Sequence, residues 1–204
     1  MQLLAAGAPL ARARAAAVLV HGRGASAEDI LSLGAEFDQD DIAYLAPQAE
    51  NHAWYPYSFL APLAQNEPHL SRALATLGAT LERLAKEGFA PERVALIGFS
   101  QGGCLALEYA ARNAKRYGAI AGLSAGLIGP PGTPRAYPGS LAGTPAFLGC
   151  SDVDGHIPLA RVHESRDVLG KLGAEVDERI YPRMGHTVNA DEVAAVTVLL
   201  KRIV

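Results

Sequence analysis

Apolar residues along this chain fall into two alternating patterns. Short, nearly continuous apolar runs occupy 17–20, 42–46, 94–99, 119–123, 146–150 and 176–181. Most show no polar alternation, which suits strands buried on both faces of a parallel sheet. Between the runs, apolar residues recur at helical spacing over 26–37, 69–87, 101–117, 159–172 and 191–203. The last segment follows Asn189, an N-cap residue type, and carries acidic residues in its first turn. Strands that alternate with helices imply right-handed crossovers and a three-layer α/β sandwich. Residues 2–16 are expected to add one or two edge strands. Two stretches rich in proline or glycine, 47–68 and 126–145, read as loops on a rigid scaffold. No repeat or linker divides the 204 residues, so one domain, 1–204, is expected.

Composition narrows the function classes. With 18 basic and 21 acidic residues the net charge is −3, which gives no electrostatic case for nucleic acid or an anionic membrane surface. No apolar stretch is long enough to span a bilayer, so no membrane insertion is expected. Near the N-terminus the basic residues follow the apolar run, the reverse of a secretory signal, so a cytoplasmic protein is expected. The two cysteines, Cys104 and Cys150, lie in apolar surroundings at no metal-like spacing and read as buried, reduced thiols.

One position stands out chemically. In "LIGFSQGGCLALEYAAR", a strand-like run meets a helix-like run at Ser100, with Gly98 and Gly102 two positions to either side. A strand that turns into a helix at one residue strains that residue's backbone, and its neighbours must be small. What is gained is a hydroxyl exposed at the sheet's C-terminal edge. This is the G-x-S-x-G nucleophile elbow, whose partners follow in the order Ser, Asp or Glu, His. A serine needs such a base to become nucleophilic. His186, in "YPRMGHTVNADEV", directly follows the last strand-like run and is where that base belongs. His163 falls within a helical segment, and His156 lies in the loop that would carry the acid. That loop, "GCSDVDGHIP", offers Asp152 and Asp154, and the pattern alone does not choose between them. Asp152, Asp154 and His156 could also be read as metal ligands. That alternative leaves the elbow and His186 unexplained, so no metal and no cofactor is expected.

Four motifs, "LVHGRGAS", "GFSQGG", "SDVDGHIP" and "RMGHT", resemble those of the phospholipase/carboxylesterase family of α/β-hydrolases, which includes acyl-protein thioesterases. The resemblance covers nearly the whole chain. It implies an α/β-hydrolase fold, with a mostly parallel central sheet, helices on both faces and no large lid. It makes Ser100 the nucleophile and His186 the base. It favours Asp154 as the acid, because "DGHIP" fits the family form D-x-x-V/I-P, although Gly155 stands where relatives often carry proline. An oxyanion hole needs backbone N–H donors. The residue after the nucleophile, Gln101, supplies one, and the resemblance places the other at Arg23. It also sets the loop containing Trp54, Tyr55, Tyr57 and Phe59 near the substrate groove, with Trp54 the candidate apolar wall. The expected activity is hydrolysis of short- to medium-chain carboxylic esters through an acyl-enzyme. A thioesterase or lysophospholipase would use the same residues, and a non-catalytic binding protein would lack one of them. The expected partner is a small-molecule ester, with a homodimer left open.

Overall fold

The computed structural model describes residues 2–204, and a seven-stranded sheet organises them. In chain order the strands are β1 (Leu3–Gly7), β2 (Ala15–Val20), β3 (Ile42–Pro47), β4 (Val94–Phe99), β5 (Ala119–Leu123), β6 (Pro145–Ser151) and β7 (Glu175–Tyr181). The helices are α1 (Ala27–Glu36), the single turn α2 (Leu63–Asn66), α3 (His69–Lys86), α4 (Gln101–Arg112), α5 (Leu159–Lys171) and α6 (Ala190–Lys201). The spatial order of the strands is β1-β3-β2-β4-β5-β6-β7, with β1 antiparallel to β3 and every other pairing parallel. β2, β3 and β5 are buried along their whole length, and β4 is buried up to Gly98, as their unbroken apolar runs require. The sheet's two faces pack into two separate cores. One includes Leu45, Leu77, Leu105 and Leu148; the other includes Leu19, Phe37, Ile97 and Leu200.

The N-terminal segment contributes one edge strand, and its remainder turns into β2. β7 is the far edge, half-buried and charged at Glu175, Asp177, Glu178 and Arg179, a composition that discourages pairing with another chain. The helix expected over 101–117 stops at Arg112. Asn113 leaves helical geometry at φ −120°, and the Tyr117 amide is claimed by Thr144 Oγ1 at 2.9 Å. This tertiary bond takes the chain across to β5 before the apolar pattern ends. The chain fills β2 and β3, then reverses direction across the sheet to β4. That reversal is a topological switch point, where a crevice opens at the C-terminal strand ends.

Candidate active site

The crevice is built from the loops after β2, β3, β4, β6 and β7. At the end of β4 the backbone of Ser100 sits at φ 53°, ψ −123°, a conformation costly for a non-glycine residue. Its amide donates to Leu123 O at 2.9 Å, and its carbonyl accepts from Cys104 N at 2.9 Å, which over-determines the turn. The flanking glycines are sterically required. A Cβ on Gly98 would lie 2.5 Å from the Gly102 carbonyl carbon, and one on Gly102 would strike the Val20 and His21 carbonyl oxygens.

Ser100, His186 and Asp154 come together from loops 86 and 32 residues apart. The Ser100 hydroxyl lies 2.8 Å from His186 Nε2, and His186 Nδ1 lies 2.7 Å from Asp154 Oδ2. Asp154 has a fully buried side chain. Its other oxygen, Oδ1, accepts from the amides of His156 at 2.8 Å and Ile157 at 3.0 Å. Burial works against its charge. The His186 hydrogen bond and the two amides outweigh that, and its pKa falls below the ordinary aspartate value. An ionised Asp154 accepts from His186, so Nδ1 carries the imidazole proton and the Nε2 lone pair faces the serine. The imidazole is wedged between Phe99, at 5.0 Å between ring centroids, and His156, at 4.7 Å.

Asp152 faces elsewhere. It is exposed, and its Oδ1 accepts from the Arg183 amide at 2.7 Å, tying the acid's loop to the histidine's loop. The donors weighed as a metal set therefore point to separate partners. Burial, with Asp154 nearby, pushes the Cys150 thiol up to about 12, and burial does the same for Cys104, so both remain neutral thiols.

Arg23, Gln101 and Ser100 line one cleft of about 360 Å³, with Tyr55, Tyr57, Phe59, Cys104, His156, Ile157 and His186. Among the described residues, the Arg23 and Gln101 amides meet no protein acceptor, so both N–H groups are free for a ligand. The Arg23 side chain is engaged along the cleft wall: Nη1 donates to Pro56 O at 2.8 Å and Nη2 to Tyr57 O, which bolts the aromatic loop to the turn after β2.

Trp54 requires a correction. It does not wall this cleft. Its ring is buried, its indole N–H donates to His21 O at 2.9 Å, and it packs on the His21 ring at 5.0 Å. The indole supports the strand end from below, and Tyr55, Tyr57 and Phe59 supply the aromatic lining in its place.

Two positioning groups escape a motif reading. His21 is fully buried; Nε2 accepts from Ala49 N at 3.1 Å, so Nδ1 carries the proton and donates to Gly22 O at 2.7 Å. Burial lowers its pKa, which keeps it neutral and this pairing intact. It thereby orients the peptide unit that carries the Arg23 N–H. Its signal in the sequence is a lone polar residue ending an apolar strand, since buried polar groups must find partners. The Gln101 side chain accepts from Trp54 N at 2.9 Å and donates to Tyr55 O at 2.8 Å, fastening the same aromatic loop to the elbow.

An open, mostly parallel sheet that carries a strand–turn–helix elbow at the end of β4 is an α/β-hydrolase fold. More narrowly, the chain belongs to the Phospholipase/Carboxylesterase family, whose model matches residues 4–203. A phospholipase/carboxylesterase from Dyadobacter fermentans is 42% identical, with 98% of this chain and 96% of that one covered at a TM-score of 0.94. A carboxylesterase from Bacillus cereus shares the fold at 21% identity and a TM-score of 0.79, over 100% of this chain and 95% of that one. Acyl-protein thioesterase 1 of Gibberella zeae is 31% identical over 124 residues, 56% of this chain. The chain spans about half the length of that curated relative, 50%.

Proposed function

We propose that this chain hydrolyses neutral carboxylic esters of short- to medium-chain acids through a Ser100–His186–Asp154 triad. The observation that carries the reading is the unbroken hydrogen-bond path from the buried Asp154 carboxylate through the imidazole to the Ser100 hydroxyl, at 2.7 and 2.8 Å. Nε2 takes the serine proton as Oγ attacks the ester carbonyl. The negative charge that develops on the carbonyl oxygen is met by the Arg23 and Gln101 amides, the latter at the N-terminus of α4, whose dipole adds to the effect. The imidazolium, held against Asp154, gives its proton to the departing alcohol. Water then enters by the same route and releases the acid.

The test is Ser100→Ala. Alanine accepts the same turn with less bulk, so the protein should fold. Turnover of p-nitrophenyl butanoate should drop by a factor on the order of 10⁶ in kcat. Labelling by a fluorophosphonate probe should vanish with it. Retention of a few per cent of activity by pure protein would remove Ser100 from the mechanism. Among the described residues no helix is long and apolar enough to cross a membrane. The proposed partner is a small ester that meets the Ser100 cleft.

A further inference from the structure

Two clefts meet at His186, and they share no other residue. One holds Ser100 and the two free amides. The second, of about 510 Å³, runs between α1 and α6. Its walls include Ile30, Leu33, Phe99, Val188 and Val193. All but Ile30 are only partly buried, packed on the core by one side and bare on the other. Asp29 and Glu36 stand on the same groove and give its rim an acidic character. Exposed apolar surface with a polar rim marks a binding groove.

We propose that this groove seats the leaving group, and that the preferred substrates are neutral esters of apolar alcohols. The inference rests on the triad reading above and adds which arm of the ester goes where. In acylation the Ser100 Oγ–acyl carbon bond forms and the bond from the acyl carbon to the alkoxy oxygen breaks. The serine proton passes through His186 Nε2 to that oxygen, and the neutral alcohol departs. The alkoxy oxygen must therefore lie within hydrogen-bond reach of Nε2. The acyl arm stays joined to Ser100 and keeps its carbonyl among the donors of the first cleft. The arm that continues past the imidazole is the alcohol, and the surface it meets there is the apolar groove. The acidic rim repels a leaving group that carries phosphate, which sets simple apolar alcohols above phosphate-bearing ones.

The test holds the acyl group at butanoate and compares benzyl with methyl ester. The wild-type protein should favour the benzyl ester in kcat/KM. Val193→Trp fills the groove, and the benzyl-to-methyl ratio should fall about tenfold, the scale of discrimination by an apolar pocket. Leu33→Ser strips apolar wall without adding bulk and should lower the same ratio, which covers a Val193→Trp protein that fails to fold. A ratio unmoved by either substitution, in protein whose methyl butanoate turnover still depends on Ser100, overturns the groove assignment and leaves the triad standing. A changed preference for acyl length at a fixed methyl ester also overturns it, because the groove would then hold the acid. Turnover that survives Ser100→Ala brings down the triad reading, and the groove with it.

Discussion

Asp152 and Asp154 are two residues apart in one loop, and the fold gives them different work. Asp154 is buried with both oxygens engaged, whereas Asp152 is exposed and accepts one backbone N–H. Asp154→Asn presents an amide to Nδ1 and favours the wrong imidazole tautomer, an effect of about 10⁴-fold in a well-studied triad. Asp152→Asn keeps an oxygen for the Arg183 amide and should cost less than about tenfold, within the range of a surface substitution. The measurement is kcat/KM of the two variants on one soluble ester; a severe loss in Asp152→Asn with a mild one in Asp154→Asn would reverse the roles. At this scale the sequence was legible where chemistry fixes a residue type. The elbow, its glycines and His186 could all be placed from spacing. The choice between the aspartates could not, because it depends on how the chain folds back 32 residues later. Trp54 was misplaced for a related reason. A loop beside a crevice is legible, but the direction of a ring is set by its partner, here the His21 carbonyl.

At the scale of elements, α6 shows how a helix start positions chemistry. Asn189 caps it by accepting from Asp191 N and Glu192 N, and Glu192 accepts back from Asn189 N at 2.8 Å. The capping box opens at Asn189, just past His186, and anchors the histidine's loop. The cap and acidic first turn were readable in "NADEV". The burial of Glu192 was not, since an acid at N3 is ordinarily solvated. Here the side chain is fully buried against Gly149, and Oε1 has no hydrogen-bond partner. Burial lifts its pKa from 4.5 to about 7. Between those values the folded protein keeps the proton that the unfolded chain has lost, so stability falls as pH rises through the window. The span corresponds to on the order of 3 kcal/mol. Glu192→Gln carries no charge at any pH and retains an oxygen for the Asn189 amide. Its melting temperature should decline less than the wild type's between about pH 4 and pH 8, on either side of that window, and at the upper end it should be the more stable protein. Thermal unfolding of both proteins across that range is the check. Parallel slopes would mean that Glu192 titrates normally.

For the whole molecule, the segment where a lid would have to be carried is 126–145, between β5 and β6. Its composition was legible as a loop without an amphipathic helix; what holds it was not, because the anchors lie far away in sequence. Buried Glu108 of α4 accepts from Ile128 N at 3.1 Å and from the Tyr137 hydroxyl. Buried Arg161 of α5 donates to Leu127 O and Gly129 O, both at 2.6 Å, and Arg135 pairs with Glu164 at 2.8 Å. Lifting this segment would take hydrogen bonds away from buried Glu108 and Arg161, at roughly 1.5–3 kcal/mol for each bond to a charged group. Gly129 N also donates to Phe59 O at 2.7 Å, so the segment is tied to the cleft's own aromatic loop. A segment held in this way does not swing as a lid, and the Ser100 cleft stays open to water. Esters that differ only in acyl length should show both consequences. Each added CH₂ contributes up to ~0.8 kcal/mol while the cleft still buries it. The cleft is about 360 Å³ and bounded by Tyr55, Phe59 and Ile157. On that scale kcat/KM should peak below about ten acyl carbons, where further methylenes reach water and burial adds nothing more. With no lid to open, the rate should also pass smoothly through the substrate concentration at which micelles form. Initial rates across an acetate-to-palmitate series, taken below and above that threshold, decide both points. A rate jump at micelle formation would mean that the anchored segment does move, and a maximum at palmitate would require a longer acyl channel than this cleft provides.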